Sequence, residues 1–236
     1  MYADLMAEMD YRVGQIVDCV EEAGIADNTV IVFSSDNATA LMNLDVTGGS
    51  NGPFRGGFMT PPWEGSMRVP AMVRWAGKVP AGVVTEEMLS AHDWYKTFAA
   101  LAGASGKVPA GRPMDGIDAS AFLLGESGST GRENLLFFGP DGLLMSSKWR
   151  NVKAILRYCE GVDQPIVEPQ FPMVFDLGSD PGERYNLIDR KLDMGWMTGV
   201  TLAYVAEYNK SITQYPNIKP GQDFDGYRSK VPAAGR

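Results

Sequence analysis

Helical and extended hydrophobic patterns alternate in the first third of the chain. Apolar residues recur at helical spacing from Leu5 to Val20, and Gly24 follows at the point where a helix would end. The β-branched run from Thr29 to Phe33 then predicts a strand that is apolar on both faces. A helix, a short loop and a buried strand make half of a βαβ unit, so we expect a parallel sheet.

The pattern changes after about residue 126. Before it, the sequence predicts a long glycine-rich loop over 48–66, a strand over 68–75 and a helix over 87–102. After it, short strands separated by turn residues are predicted over 135–138, 143–147, 152–158 and 173–177, with a helix near 196–210 and a tail from Pro216. We therefore predict an α/β domain over 1–125 and a small α+β subdomain with a tail over 126–236.

Composition and charge argue against several classes of binding partner. A net charge of −8 without a basic run argues against nucleic acid, because phosphate neutralisation needs clustered Lys and Arg. No apolar run approaches the ~20 residues that a membrane span needs. The N-terminal residues lack the basic and apolar regions of a signal peptide, and the compartment stays open between cytoplasm and periplasm. The sequence does not predict an oligomeric state.

Histidine and cysteine are too few to define a catalytic or zinc site on their own. The single histidine, His92, precedes a helical pattern, where a structural role is favoured over a triad or a multi-histidine metal site. Cys19 lies in a helical pattern and Cys159 follows a strand pattern. Their separation gives no disulfide or zinc signature, so we expect both to be structural.

The candidate chemistry lies at the end of the first predicted strand. Asp36 and Asn37 follow the apolar run directly, where strand ends of open α/β sheets hold ligands. Carboxylate and carboxamide oxygens suit hard divalent cations such as Ca²⁺ or Mg²⁺. The same pair is also typical of a turn that only caps the next loop.

Several motifs in order resemble the sulfatase family of the alkaline-phosphatase-like superfamily. They are Ser35-Asp36-Asn37, Pro53-Phe54-Arg55-Gly56, Trp63-Glu64-Gly65, Arg68-Val69-Pro70-Ala71, Ala91-His92-Asp93-Trp94 and Asp180-Pro181-Gly182-Glu183. The resemblance covers nearly the whole chain. It implies part of an α/β/α sheet domain followed by a small C-terminal antiparallel sheet with a packing helix.

The resemblance also implies roles for individual residues. Asp36 and Asn37 would supply half of a Ca²⁺ (or Mg²⁺) site, and Arg55 would bind substrate by stabilising charge on the ester oxygens. A surface salt bridge is the competing interpretation of Arg55. Glu64 would brace the loop or, as the favoured alternative, hydrogen-bond backbone amides.

Two departures from the family pattern limit what the chain is expected to do. The family's nucleophile motif and early aspartate pair have no counterpart, so no catalytic residue is predicted here and the chain is expected to begin within the fold. Phe58 or Met59 stands where many members carry a lysine, and Ala38 stands where glycine usually follows the Asp-Asn pair.

The predicted function is the C-terminal portion of a metal-dependent hydrolase of a small-molecule sulfate or related ester. One alternative is a phosphodiesterase or phosphonate hydrolase of the same superfamily. Another is a non-catalytic fragment or interaction protein that keeps the scaffold. The reading frame upstream of Met1 would distinguish an enzyme from the last of these.

Overall fold

The structure is a computed structural model that describes residues 2–41, 48–111, 113–190, 195–218 and 221. Apart from its first residues and Gly221, the predicted tail lies outside the described residues. The chain forms two compact units, Met1–Thr85 with Glu133–Tyr204 and Glu86–Arg132 with Val205–Arg236. The predicted division near residue 126 stays a prediction.

The described residues form short helices and strands between two long helices. The helices are α1 Tyr2–Glu22, α2 Glu64–Met67, α3 Asp93–Leu101, α4 Ser120–Leu123, α5 Leu187–Arg190 and α6 Trp196–Gln214. The strands are β1 Ile31–Ser34, β2 Ala71–Arg74, β3 Asn134–Phe138, β4 Leu144–Trp149, β5 Val152–Ile155 and β6 Met173–Asp176. Single 3₁₀ turns lie at Ala26–Asn28, Ser105–Lys107 and Pro140–Gly142.

Helix α1 confirms the first helical pattern. It ends just before Gly24, whose φ of +67° is the left-handed conformation that commonly stops a helix. None of the residues described in α1 is buried, and Leu5 and Ile16 are 63% and 60% exposed. The apolar face that the sequence pattern predicts is therefore open to solvent in this chain.

The parallel pairing expected for the first strand is wrong. Strand β1 pairs antiparallel with β2, from Ile31 opposite Arg74 to Ser34 opposite Ala71, in a two-stranded sheet. The apolar residues of β1 are half-buried, so within the described residues β1 is not the central strand of a parallel sheet. An apolar run predicts a strand but not the direction of its neighbour, and α/β folds often place an antiparallel strand beside parallel ones.

The second predicted sheet is confirmed. Strands β3, β4, β5 and β6 pair antiparallel in that order, and the two-residue turn Arg150-Asn151 joins β4 to β5. Helix α6 contacts this sheet through the buried Thr201, whose carbonyl accepts a hydrogen bond from Ser147 Oγ of β4 at 2.8 Å. The predicted packing of the last helix on the sheet is borne out at this contact.

Trp63 fixes the glycine-rich loop to the four-stranded sheet. Its side chain is fully buried in a cluster with Ile155, Phe175 and Leu177. The indole Nε1 donates to the carbonyl of Cys159 at 2.9 Å, and the ring meets Phe175 edge-on with centroids 6.3 Å apart. Apolar packing of Trp63 therefore holds the loop against the sheet.

Helix α3 begins later than the sequence predicts. The expected start was near residue 87, but the helix begins at Asp93. The side chain of Glu87 instead accepts hydrogen bonds from Ser129 Oγ and the Thr130 amide, at 2.9 and 3.2 Å. Asp93 is fully buried and accepts hydrogen bonds from the Ser90 amide and the Arg132 guanidinium. These tertiary contacts decide the boundary.

Candidate functional site

Asp36 and Asn37 lie directly after β1 with both side chains exposed. The chain leaves the strand here because Ser34 Oγ donates to the Pro70 carbonyl at 3.0 Å and Ser35 Oγ donates to the Asn37 carbonyl at 2.8 Å. Neighbouring side chains of a regular strand face opposite sides, so two of them can reach one ion only beyond the strand end, which is where Asp36 and Asn37 lie. Their role as cation ligands stays a prediction.

Asn51 connects this strand end to the loop that carries Arg55. Its carboxamide oxygen accepts from the Thr39 amide at 3.1 Å, and its Nδ2 donates to the carbonyls of Thr39 and Gly56 at 3.2 and 3.1 Å. The Phe58 amide also donates to the Thr39 carbonyl, at 2.9 Å. The backbone two residues after Asn37 is thereby tied to the residue next to Arg55.

Close backbone contacts set the shape of this loop. A Cβ at Gly65 would lie 2.5 Å from the carbonyl oxygens of both Arg55 and Gly56, and one at Gly57 would lie 2.7 Å from the Thr39 carbonyl oxygen. Neither distance is sterically possible, so only glycine fits without moving the backbone. The two residues at the position of the family's lysine are uncharged: Phe58 is half-buried and Met59 is 56% exposed.

Arg55 is held by three contacts. Its guanidinium lies over the Trp63 ring, 3.6 Å from the centroid, and donates to the Glu183 carbonyl at 3.0 Å and to the Glu160 carboxylate at 2.5 Å. Glu160 is about half exposed, so an ion pair near the surface, the competing sequence interpretation, is present. A guanidinium has five N–H donors, and these two hydrogen bonds leave others for a ligand.

Glu64 belongs to a buried cluster of two carboxylates and two ammonium groups. Lys153 lies 3.0 Å from Glu64 and 2.9 Å from Glu183, and Lys148 lies 3.0 Å from Glu64. Lys153 also donates to the Pro62 carbonyl. Glu64, Lys153 and Glu183 are almost fully buried. We call these four residues the Glu64 cluster.

The hydrogen bonds to backbone amides that the sequence favoured for Glu64 are not the contacts that its carboxylate makes. Its carboxylate pairs with Lys148 and Lys153, whereas its own backbone amide donates to Glu183 Oε2 at 2.7 Å. Glu64 thus braces the loop against the sheet, but through lysines rather than backbone amides. Sequence reasoning missed both lysines and Glu183. A lysine in the middle of the apolar strand Val152–Ile155 was the available signal.

Electrostatics in the cluster favour an ionised Glu64. Burial alone raises its pKa, but the charges of Lys153 and Lys148 outweigh burial and lower the pKa from 4.5 to about 2. Burial lowers the pKa of Lys148, and burial raises the pKa of Glu183 despite the nearby Lys153. The cluster is therefore a strongly coupled structural unit.

The structural roles predicted for the histidine and the two cysteines stay predictions. His92 Nδ1 lies 2.8 Å from Ser90 Oγ, and the buried Cys159 donates through Sγ to the Gly161 carbonyl at 2.9 Å. Cys19 is free and exposed on α1. In the part of the chain that the structure describes, no three His, Cys, Asp or Glu residues form a group that could hold a metal ion. Across the same ranges, no helix could span a membrane.

The mixed helices and sheets described above form an α/β fold of the kind found in sulfatases. Residues 1–104 match the family model described as Sulfatase. The sulfatase PsFucS1 from Pseudoalteromonas sp. superposes with a TM-score of 0.81 at 28% identity, over 92% of this chain and 44% of that one.

Curated relatives agree with the structural match. Human N-acetylgalactosamine-6-sulfatase is 33% identical over 206 residues, which is 79% of this chain and 38% of that protein. Human arylsulfatase G is 35% identical over 203 residues, which is 78% of this chain and 38% of that protein. The chain belongs to the sulfatase family, and it spans about two-fifths of the length of these relatives.

Proposed function

We propose that this chain is the C-terminal portion of a metal-dependent hydrolase of sulfate esters. The observation that carries the proposal is the connection through Asn51, which ties the Asp36-Asn37 strand end to the loop of Arg55. These hydrogen bonds support the proposed roles of Asp36 and Asn37 as cation ligands and of Arg55 as the cation that binds the ester, because sulfate-ester cleavage needs both kinds of group near one another.

The donor set fits a hard cation only in part. Asp36 offers a carboxylate and Asn37 a carboxamide oxygen, which suit Ca²⁺ or Mg²⁺, but Ca²⁺ takes about six to eight oxygens. One negative charge and two side chains therefore make half a site. When bound, the cation would supply charge stabilisation at an ester oxygen. Arg55, with its remaining donors, would orient the equatorial oxygens of the same group.

The substrate proposed is a sulfated sugar or a related small ester. Human N-acetylgalactosamine-6-sulfatase, by its name, acts on the 6-sulfate of N-acetylgalactosamine. A structure at 28% identity holds a κ-ι-κ-neocarrahexaose. Support for this chain comes from Arg55, whose guanidinium is already oriented by Trp63 and the Glu183 carbonyl.

The nucleophile is proposed to lie outside this chain. Neither cysteine occurs in the family's Cys-x-Pro-x-Arg pattern, and Cys159 is buried with its thiol donating to a carbonyl. The purified 236-residue chain is therefore expected not to hydrolyse 4-nitrophenyl sulfate above an Asp36→Ala control. Metal-dependent turnover above that control would contradict the assignment of the nucleophile.

The reading frame upstream of Met1 gives the complementary experiment. If it encodes a nucleophile motif and an aspartate pair, the extended polypeptide should hydrolyse 4-nitrophenyl sulfate. That activity should fall at least about tenfold with Asp36→Ala, because loss even of an outer partner of a metal ligand typically costs ~10- to 100-fold. An upstream sequence without those motifs, or activity indifferent to a chelator and to Asp36→Ala, would refute the proposal and favour a scaffold without catalysis.

A phosphodiesterase is the second candidate, on one specific observation. Phe58 and Met59 carry no charge where many family members have a lysine, so one contact to a sulfate is missing. The same extended polypeptide should be assayed with bis(4-nitrophenyl) phosphate. Faster turnover of that diester than of the sulfate would favour this candidate over the sulfatase.

A further inference from the structure

A small cavity lies beside Arg55, on the side of the loop that faces the acidic turn after β6. It is lined by Pro53, Phe54, Arg55, Gly182 and Arg184, and its volume is about 280 Å³. We call it the Phe54 pocket. Ligand cavities in proteins start at about 300 Å³, so the pocket suits one small group or sugar ring.

Its polar lining is cationic in a chain that is acidic overall. Arg55 and Arg184 both line the pocket, and a third guanidinium, that of Arg68, covers the Phe54 ring at 4.4 Å from the centroid. The chain carries a net charge of −8, so two arginines in the lining and a third against Phe54 make this a locally cationic part of the surface. Guanidinium groups bind sulfate, phosphate and carboxylate through paired hydrogen bonds.

Arg184 lines the pocket next to Gly182. The residue is exposed, while its backbone amide is fixed by the Asp180 carboxylate at 2.8 Å. Among the described residues, no hydrogen-bond or ion-pair partner is recorded for its guanidinium. The carboxylate of Asp180 also accepts from the Tyr185 amide at 2.8 Å, so it holds the turn and not the arginine side chain.

Gly182 keeps the floor of the pocket clear. A Cβ at this position would lie 3.1 Å from Arg184 Nε and 3.3 Å from the Pro53 carbonyl oxygen. A side chain would therefore crowd both the cation and the loop. The apolar surface that remains is that of Pro53 and Phe54, a ring face on which a sugar ring can pack.

We propose that the Phe54 pocket binds a second anionic group, a sulfate or carboxylate, of a sugar whose scissile ester lies at Asp36 and Asn37. This inference rests on the proposed function and narrows its substrate class to saccharides with more than one anionic group. Arg184 would hold the anion together with a donor of Arg55 that the scissile ester leaves unused, and Phe54 would contact the sugar. Glu160, paired with Arg55, would compete with the incoming anion.

Binding to the 236-residue chain can be measured without turnover. In NMR titrations that follow the Gly182 amide, D-glucosamine-2-N,6-O-disulfate should bind more tightly than N-acetylglucosamine or inorganic sulfate. Arg184→Gln should weaken binding of the disulfate about tenfold, as expected for loss of a charge-assisted contact of ~1.5 kcal/mol. Arg184→Lys should weaken it less, and Arg150→Gln, at an exposed ion pair outside the lining, should leave it unchanged.

Glu160→Gln should change the affinity for the disulfate in the direction opposite to Arg184→Gln. Removing this carboxylate frees Arg55, so the disulfate should bind more tightly. A purely structural effect would not strengthen binding in Glu160→Gln while weakening it in Arg184→Gln. Equal affinity for inorganic sulfate and the sugar disulfate, no shift of Gly182, or binding unaffected by Arg184→Gln would each overturn the inference. Asp36→Ala removes a group at the ester end of the sugar but not at the pocket, so the roughly tenfold effect of Arg184→Gln should persist in that background, and this outcome is separate from that of the turnover experiments.

Discussion

Replacing Lys153 by methionine is expected to lower the free energy of unfolding by about 3–5 kcal/mol, the usual loss when one partner of a buried ion pair is removed. Lys153 is fully buried and lies within 3.0 Å of carboxylates from Glu64 and Glu183. Without it, Glu64 keeps Lys148 as an ion-pair partner, whereas the buried Glu183 loses the ammonium group that lies 2.9 Å away. Urea unfolding followed by tryptophan fluorescence measures the loss.

Two further variants distinguish charge balance from packing. Lys153→Met combined with Glu183→Gln restores a one-to-one balance and keeps an acceptor for the Glu64 amide, so part of the loss should be recovered. Glu133→Gln removes the exposed pair with Arg150 and should cost no more than about 1 kcal/mol. A loss below ~1 kcal/mol for Lys153→Met would contradict the buried cluster.

The same cluster predicts how the free energy of unfolding changes at acid pH. The pKa of Glu64 is lowered to about 2 in the folded state from an ordinary value of 4.5. Its contribution to stability is therefore complete above pH 4.5 and is lost as the pH falls towards 2. The raised pKa of Glu183 acts in the opposite sense, with its contribution lost as pH rises. Because Lys153 lowers the Glu64 pKa, the difference in free energy of unfolding between wild type and Lys153→Met should become smaller as the pH falls from 4.5 towards 2.

Asp93→Ala is expected to have a comparable effect in the other compact unit, about 3–5 kcal/mol. The fully buried carboxylate accepts hydrogen bonds from the Ser90 and Ile117 amides at 2.7 and 2.8 Å and pairs with the Arg132 guanidinium. Burial raises its pKa, but the hydrogen bonds outweigh burial, so the pKa lies below its ordinary value and the group stays charged. Removing it takes the charge partner from the buried Arg132 guanidinium, which keeps the Asp115 carbonyl as an acceptor, and takes the acceptor from two amides.

Hydrogen exchange of the α3 amides is the appropriate measurement, because it reports on this unit alone. Asp118→Ala is the matched control in the same unit. Among the described residues its carboxylate accepts only from the Ser120 amide, at 2.9 Å in a contact exposed to solvent, so about 1 kcal/mol is expected, as for one ordinary hydrogen bond. Equal protection in Asp93→Ala and wild type would show that the buried pair does not hold α3.

Local elements followed from the sequence because they depend on spacing between neighbours. The helical repeat of α1, its glycine stop and the four short strands of the second sheet were all predicted, within a few residues at their ends. The start of α3 was not, because Asp93 is fixed by Ile117 and Arg132, 24 and 39 residues away. Strand direction was equally inaccessible, since β1 pairs with a strand 40 residues later.

The site was predictable to a similar degree. Asp36, Asn37 and Arg55 could be chosen from motif and chemistry, and the structure places their segments side by side through Asn51. The partners of Glu64 could not be chosen, because Lys148 and Lys153 lie 84 and 89 residues further along the chain. A lysine in a strand normally reaches solvent, so only tertiary structure reveals a buried one.

Calorimetric titration of the 236-residue chain with Ca²⁺ tests the central claim most directly. If Asp36 and Asn37 form half of a cation site, Ca²⁺ should bind with a dissociation constant no better than about 10⁻⁴–10⁻³ M, as in weak calcium modules. Asp36→Ala should abolish that binding, and Asp10→Ala, at an exposed carboxylate on α1, should leave it unchanged. Micromolar Ca²⁺ binding that survives Asp36→Ala would contradict the account.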